Sequence, residues 1–89
     1  MKVEFKNSFL SDLRKIKNEK IVLLVKDIID ELLLADNLNK IKNLKKLVGS
    51  DNAFRIRVRS FRIGLLLVDQ TIVLSRILNR KDIYKYFPK

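Results

Sequence analysis

"FRIRVRSFRIGLLLVDQTIVLSRIL" occupies residues 54–78, and its apolar period decides the fold. Phe54, Ile56 and Val58 alternate with Arg55, Arg57 and Arg59, a period of two that belongs to a pleated strand with one covered face. At Phe61 and Ile63 the apolar phase shifts by one, so Arg59-Ser60 must hold a tight turn or bulge that opens a second strand. Residues 63–68, "IGLLLV", are apolar on both faces and read as a central strand. Asp69-Gln70 is then a two-residue hairpin turn into "TIVLSRIL" (71–78), which gives three antiparallel strands.

Ahead of this sheet the period is helical. "NLNKIKNLKKLVGSDN" (37–52) places Leu38, Ile41, Leu44 and Leu47 three apart, as a strap with a helical turn that pins one side to the core, and it ends in a turn at Gly49-Ser50-Asp51-Asn52. "KIVLLVKDIIDELLLAD" (20–36) carries a wide apolar stripe at Ile21, Leu24, Val25, Ile28 and Leu32, flanked by Val22, Ile29 and Leu33. A helix so broadly apolar calls for cover on more than one side, by another helix and by a sheet. That other helix is the stretch with Phe9, Leu10, Leu13 and Ile16, capped at Asn7 or Ser8, and Asn18-Glu19 breaks the two apart. "KVEF" (2–5) suits an edge strand. The expected architecture is a single α+β domain over residues 1–89, in the order β-α-α-β-β-β, with an N-terminal edge strand and a two-helix hairpin packed on a curved antiparallel sheet. The conformation of "NRKDIYKYFPK" (79–89) is left open.

Composition limits the chemistry. The 89 residues include neither Cys nor His, which removes disulfides and thiol catalysis and makes a zinc site improbable, so no metal or other cofactor is expected. No Gly-rich phosphate loop is present, since the isolated Gly49 and Gly64 match no nucleotide-binding pattern. No paired carboxylates suggest acid/base work: Asp69 belongs to a turn, Asp82 stands among basic residues, and Asp27, Asp30 and Glu31 fall on the polar side of the second helix. No apolar run is long enough to cross a bilayer, and "MKVEFKNSFL" lacks the pattern of a secretion signal, so the expectation is a cytoplasmic protein without a membrane partner.

The charge is more informative. Twenty Lys and Arg stand against ten Asp and Glu, a net +10. Residues 1–52 hold 11 basic and 8 acidic side chains, residues 53–89 hold 9 and 2, and six of the seven arginines lie in the second half. Arg55 and Arg57, two apart on a strand, project side by side about 6.5–7 Å apart, a spacing that suits adjacent phosphates. Arg62 starts the central strand, and Arg76 and Arg80 lie on or just past the last one. Such a row is either a solvated face or a phosphate site. The choice of Arg over Lys favours phosphate, because guanidinium grips it bidentately. Phe54 and Phe61 follow the apolar phase into the core, whereas Tyr84 and Tyr86 are open to packing, base stacking or proton transfer.

Three pieces taken together resemble the toxins of the RelE/ParE superfamily: Leu44-Lys45-Lys46-Leu47-Val48-Gly49, Phe54-Arg55-Ile56-Arg57-Val58-Arg59-Ser60-Phe61-Arg62, and Asn79-Arg80-Lys81-Asp82-Ile83-Tyr84. The resemblance covers essentially the whole chain and implies the toxin of a type II toxin–antitoxin pair. RelE-like members cut messenger RNA in the ribosomal A site by directing a ribose 2′-OH at the adjacent phosphate. By position, Arg55 and Arg57 match the paired basic residues of the concave strand, Arg62 the arginine that stabilises the phosphate, Arg80 the C-terminal arginine, and Tyr84 the tyrosine near the scissile nucleotide. RNA contacts fall to Arg59, Arg76, Lys81, Lys45 and Lys46. The implied partners are ribosome-bound mRNA and a cognate antitoxin that lays an acidic or amphipathic segment over the basic and apolar surface. Three departures stand out: Asn79 replaces the usual His, Arg59-Ser60 replaces Gly-Asp, and Arg55 and Arg57 stand where cleaving members carry lysines. Arginine is a poor general base, so proton removal is left to Tyr84, Lys81 or the RNA. ParE-like members poison DNA gyrase instead, and a degenerate domain would bind only its antitoxin.

Overall fold

The period-two segment folds into the expected meander. In the computed structural model, which describes residues 1–88 and leaves Lys89 and its share of the 79–89 stretch outside, strands β3 (Ala53–Val58), β4 (Phe61–Val68) and β5 (Thr71–Asn79) pair antiparallel. These labels follow β1 (Lys2–Phe5) and β2 (Leu44–Lys46), while α1 (Asn7–Lys15), α2 (Glu19–Leu34) and α3 (Ile83–Tyr86) are the helices. Val58 sits opposite Phe61, both on the apolar face, so the two-residue turn at Arg59-Ser60 accounts for the shift in phase. Asp69 and Gln70 both take positive φ, 49° and 65°, as a type I′ hairpin turn requires.

The sheet has five strands in the order β1-β5-β4-β3-β2. β1 is an edge strand as expected, but it runs parallel to β5, which makes the sheet mixed rather than antiparallel throughout. The other edge is a strand where a strap was expected. Asn43, with φ 63°, turns the chain into β2, whose Leu44, Lys45 and Lys46 pair with Ile56, Arg55 and Phe54. The three-residue spacing of the strap is thereby divided. Leu38, Ile41 and Leu44 join the core under the helices, whereas Leu47 packs on the opposite face with Ala53, Ile83 and Phe87. The expected helical turn is a short 3₁₀ segment, Leu38–Lys40.

Phe9 of α1 and Ile21, Val25 and Leu32 of α2 bury against Ile56, Ile63, Leu65, Ile72 and Leu74. Asn18 caps α2, its Oδ1 accepting from the backbone N–H groups of Lys20 and Ile21. α1 has no such cap: its N-cap is Lys6, not Asn7 or Ser8, and Ser8 Oγ instead donates to the carbonyl of Ser75 at 2.7 Å. The cover expected for α2 is incomplete, since Leu23, Leu33 and Leu34 remain exposed, Leu34 at 85%.

Among the described residues one side-chain carboxylate is buried. Asp12, on α1, accepts Arg76 Nε at 2.7 Å, Arg76 Nη2 at 2.9 Å and the backbone N–H of Ile77 at 3.1 Å. This bidentate pair fastens α1 to β5 and satisfies a backbone donor of the strand in the same contact. On the far face of the sheet, away from α1 and α2, the C-terminal turn is held by Ile83 and Phe87.

Candidate nucleic-acid interface

Residues directly opposite on antiparallel strands project from the same face. Lys45, Arg55, Gly64 and Arg76 therefore form one row across β2 to β5, and Arg57, Arg62 and Leu78 form the next. Phe54, Ile56, Val58, Phe61 and Ile63 point to the helices, and the second face carries the arginines beside a smaller apolar cluster of Ala53, Leu66, Leu78, Ile83 and Phe87. Arg80 lies just past β5, and its N–H donates to the carbonyl of Ser60 at 2.8 Å, which ties the chain after β5 to the β3–β4 turn beside Arg62.

Arg62 stands at the centre. Burial, then Arg55 and Arg57, and lastly Arg80 push its pKa below the ordinary guanidinium value, while Tyr84 works the other way. Arg55, Arg57, Arg80 and Tyr84 are thus all within electrostatic reach of one guanidinium, which remains a cation at any physiological pH. Neutral oxygens hold the cluster in place. Arg62 Nη1 donates to the carbonyls of Arg59 and Phe61 at 2.8 and 2.9 Å, and Arg55 Nη1 to the carbonyl of Asn43 at 2.8 Å. Among the described residues no carboxylate pairs with Arg55, Arg57, Arg62 or Arg80: the ion pairs are Lys40–Asp36, Arg76–Asp12 and Lys85–Asp82. The Arg55 and Arg62 guanidiniums are oriented without being neutralised, which suits them to an incoming anion.

The remaining predicted residues divide. Lys45 shares the row of Arg55, whereas Lys46 opposes Phe54 and so belongs to the other face. Arg59 sits in the turn with φ 56° and contributes its carbonyl to Arg62. Lys81 is exposed, its N–H held by Asn79 Oδ1. Asn79, which stands where the family pattern has His, is therefore a turn former. Arg76 departs furthest from expectation. Its charge is committed to Asp12, its carbon lies 5.3 Å from the Tyr86 ring centroid, and it is a structural cation rather than a free phosphate ligand.

Two contributors were not singled out from sequence. Asn43 supplies the carbonyl that aims Arg55, and Gly64, which matches no loop motif, is the floor on which Phe87 rests: a Cβ at Gly64 would stand 2.6 Å from that ring. A glycine inside a strand is itself a signal of close approach.

The family model described as "ParE toxin of type II toxin-antitoxin system, parDE" matches residues 3–84. The chain belongs to the RelE/ParE superfamily of type II toxins. A RelE/ParE relative, Toxin RelE3 of Methanocaldococcus jannaschii, is 42% identical over 89 residues, covering 99% of this chain and 100% of that one. The crystal structure of the RelB–RelE antitoxin–toxin complex from Methanococcus jannaschii contains a chain 38% identical, with a TM-score of 0.82 over 96% of this chain and 99% of that chain. The intact RelBE complex of E. coli matches at 20% identity and a TM-score of 0.69, over 88% and 94% of the two chains, a likeness of fold. The RelE/ParE toxin fold thus accounts for the helices packed on a five-stranded sheet.

Proposed function

We propose that this toxin is a RelE-type endoribonuclease that cleaves messenger RNA on the ribosome. The observation that carries this reading is that Arg55, Arg57 and Arg62 share one face of the sheet, with Arg80 and Tyr84 within electrostatic reach of Arg62 and no carboxylate paired with these arginines among the described residues. Arg55 and Arg57, on adjacent same-face positions of β3, bind phosphates that flank the scissile one. Arg62 and Arg80, from β4 and the end of β5, meet the oxygens on which negative charge grows as the 2′-OH attacks. The Arg62 donors are fixed beforehand by the Arg59 and Phe61 carbonyls, so little reorganisation accompanies the reaction there. On this reading Tyr84, half-exposed and within electrostatic reach of Arg62, exchanges a proton with the ribose or the departing oxygen, with Lys81 as the alternative. Neither His nor Cys is needed. Arg59 and Lys45 extend the RNA contact. Lys46, on the opposite face, and Arg76, neutralised by Asp12, do not.

The partner that silences the toxin is a cognate antitoxin. The relatives of known structure are complexes of RelE with RelB, and both the uncancelled arginines and the exposed leucines of α2 offer surface for an acidic or amphipathic segment. No helix among the described residues is long and apolar enough to cross a membrane, which supports action in the cytoplasm, where ribosomes are.

Gyrase inhibition is the second reading, favoured by the ParE description of the family model. Both high-identity relatives carry the name RelE, which supports cleavage instead. Induced expression followed by mapping of transcript 5′ ends separates the two: codon-phased cuts are expected, and DNA-damage signalling with intact transcripts would overturn the ribonuclease reading.

A further inference from the structure

The apolar residues that α2 leaves in solvent are not the margin of its core stripe. Ile21, Val25, Ile28 and Leu32 face the core, whereas Leu23 and Leu34, 60% and 85% exposed, stand about three turns apart on the opposite side of the helix. Along that side Glu19, Leu23, Lys26, Asp30 and Leu33 recur in steps of four and three, the spacing of a coiled-coil seam, and all five are exposed. Beside the first turn of the seam lies a shallow groove of about 240 Å³, lined by Ile16, Lys17, Glu19, Val22 and Leu23.

The charges on the seam select its occupant. Lys26 and Asp30 have the spacing of an intrahelical ion pair, yet the ion pairs among the described residues do not include them. When two copies of α2 are laid antiparallel with Ile28 at the crossing, each Lys26 falls opposite Asp30 of the second copy and each Leu23 opposite Leu33. Each Leu34 then meets Val22 of the second copy, at the groove. A parallel pair in register would set Lys26 against Lys26 and Asp30 against Asp30. The seam is thus complementary to itself in one direction only. An acidic segment is not drawn there, because α2 holds Glu19, Asp27, Asp30 and Glu31 against Lys20 and Lys26; the arginine face attracts such a segment instead. The seam also lies on the helical side of the sheet, so covering it leaves Arg55, Arg57 and Arg62 open in both copies.

We propose that the outer side of α2 is a homodimer interface, on which a second copy of this chain docks antiparallel. The inference does not depend on what the arginine face does. One pair of helices gives an area at the low end for a specific complex, so monomer and dimer should interconvert at micromolar concentrations.

Sedimentation equilibrium of the full chain tests this. Wild type should pass from monomer to dimer as its concentration rises. Lys26→Glu and Asp30→Lys should each weaken association about tenfold, since the two-fold axis sets like charges opposite one another twice. Combined in one chain, the two changes should restore the dimer, and the two single variants mixed should associate with each other. Both positions are exposed on the side away from the core, so circular dichroism should show each variant folded as wild type is. A wild type that stays monomeric overturns the proposal, and so do single variants that dimerise as wild type does. A double variant that stays monomeric overturns the antiparallel register. A monomeric wild type whose complex with the co-expressed antitoxin is weakened by Leu34→Gln would give this face to the antitoxin and likewise overturn the proposal.

Discussion

Gly64 and Phe87 meet across the basic face of the sheet, the ring lying where a side chain at position 64 would have to stand. Phe87 is 2% exposed, and with Ile83 it seats the one-turn helix that carries Tyr84. The register of β4 and the position of the tyrosine are coupled through this single contact.

Gly64→Val should therefore lift Phe87 from the sheet. Overpacking of this kind costs about 1–3 kcal/mol, read as a lower denaturant midpoint, and toxicity should fall together with it because Tyr84 moves. A midpoint equal to wild type would mean that Phe87 is not seated there.

Asp12→Ala removes the acceptor of both Arg76 and the Ile77 N–H. The loss should be about 2–4 kcal/mol, below that of a fully enclosed pair because Arg76 retains some contact with water. Asp12→Leu combined with Arg76→Met should be less damaging than the sum of the two single changes. Additivity in urea unfolding would show that the pair contributes nothing as a pair.

Arg62→Ala should lower the cleavage rate by about 10²–10³, and Arg62→Lys should recover only a small part, since an ammonium lacks the planar fork that the Arg59 and Phe61 carbonyls hold in place. Single-turnover cleavage on programmed ribosomes measures both. Full activity of the lysine variant would make the fork irrelevant.

RNA binding should weaken linearly with log salt. Counting only the ion pairs of Arg55, Arg57, Arg62 and Arg80, the slope for single-stranded RNA should be at least about 2.8 in magnitude, and Arg62→Ala should reduce it by about 0.7. A slope unaffected by the substitution would place Arg62 off the RNA.

The meander was legible because its signals are local: residues 54–58 alternate, 63–68 form a short run apolar on both faces, and Arg59-Ser60 and Asp69-Gln70 are short polar interruptions. What could not be read depends on pairing at a distance. β2 has three residues, two of them lysines, and becomes a strand only because β3 offers an edge. Its Leu44 and Leu47 mimic one helical side although the pleat sends them to opposite faces. Asp12 has the spacing of a solvated helix position, and its burial follows from the Arg76 guanidinium 64 residues away in sequence. The basic cluster was legible residue by residue on β3 and β4, where alternation fixes the face. Arg76 obeys the same alternation, yet a helix that packs beside it takes its charge. The exposed stripe of α2 shows the same limit from the other side, since hydrophobic spacing tells which residues seek cover and not whether the fold supplies it.

The neutral carbonyls that brace Arg55 and Arg62 have a thermodynamic corollary. A folded chain that confines several like charges without internal compensation is held under electrostatic tension, and the first polyanion to arrive relaxes it. On the proposed function, an acidic antitoxin segment and an RNA backbone would compete for that one relaxation, and the inhibited toxin should be the sturdier of its two states.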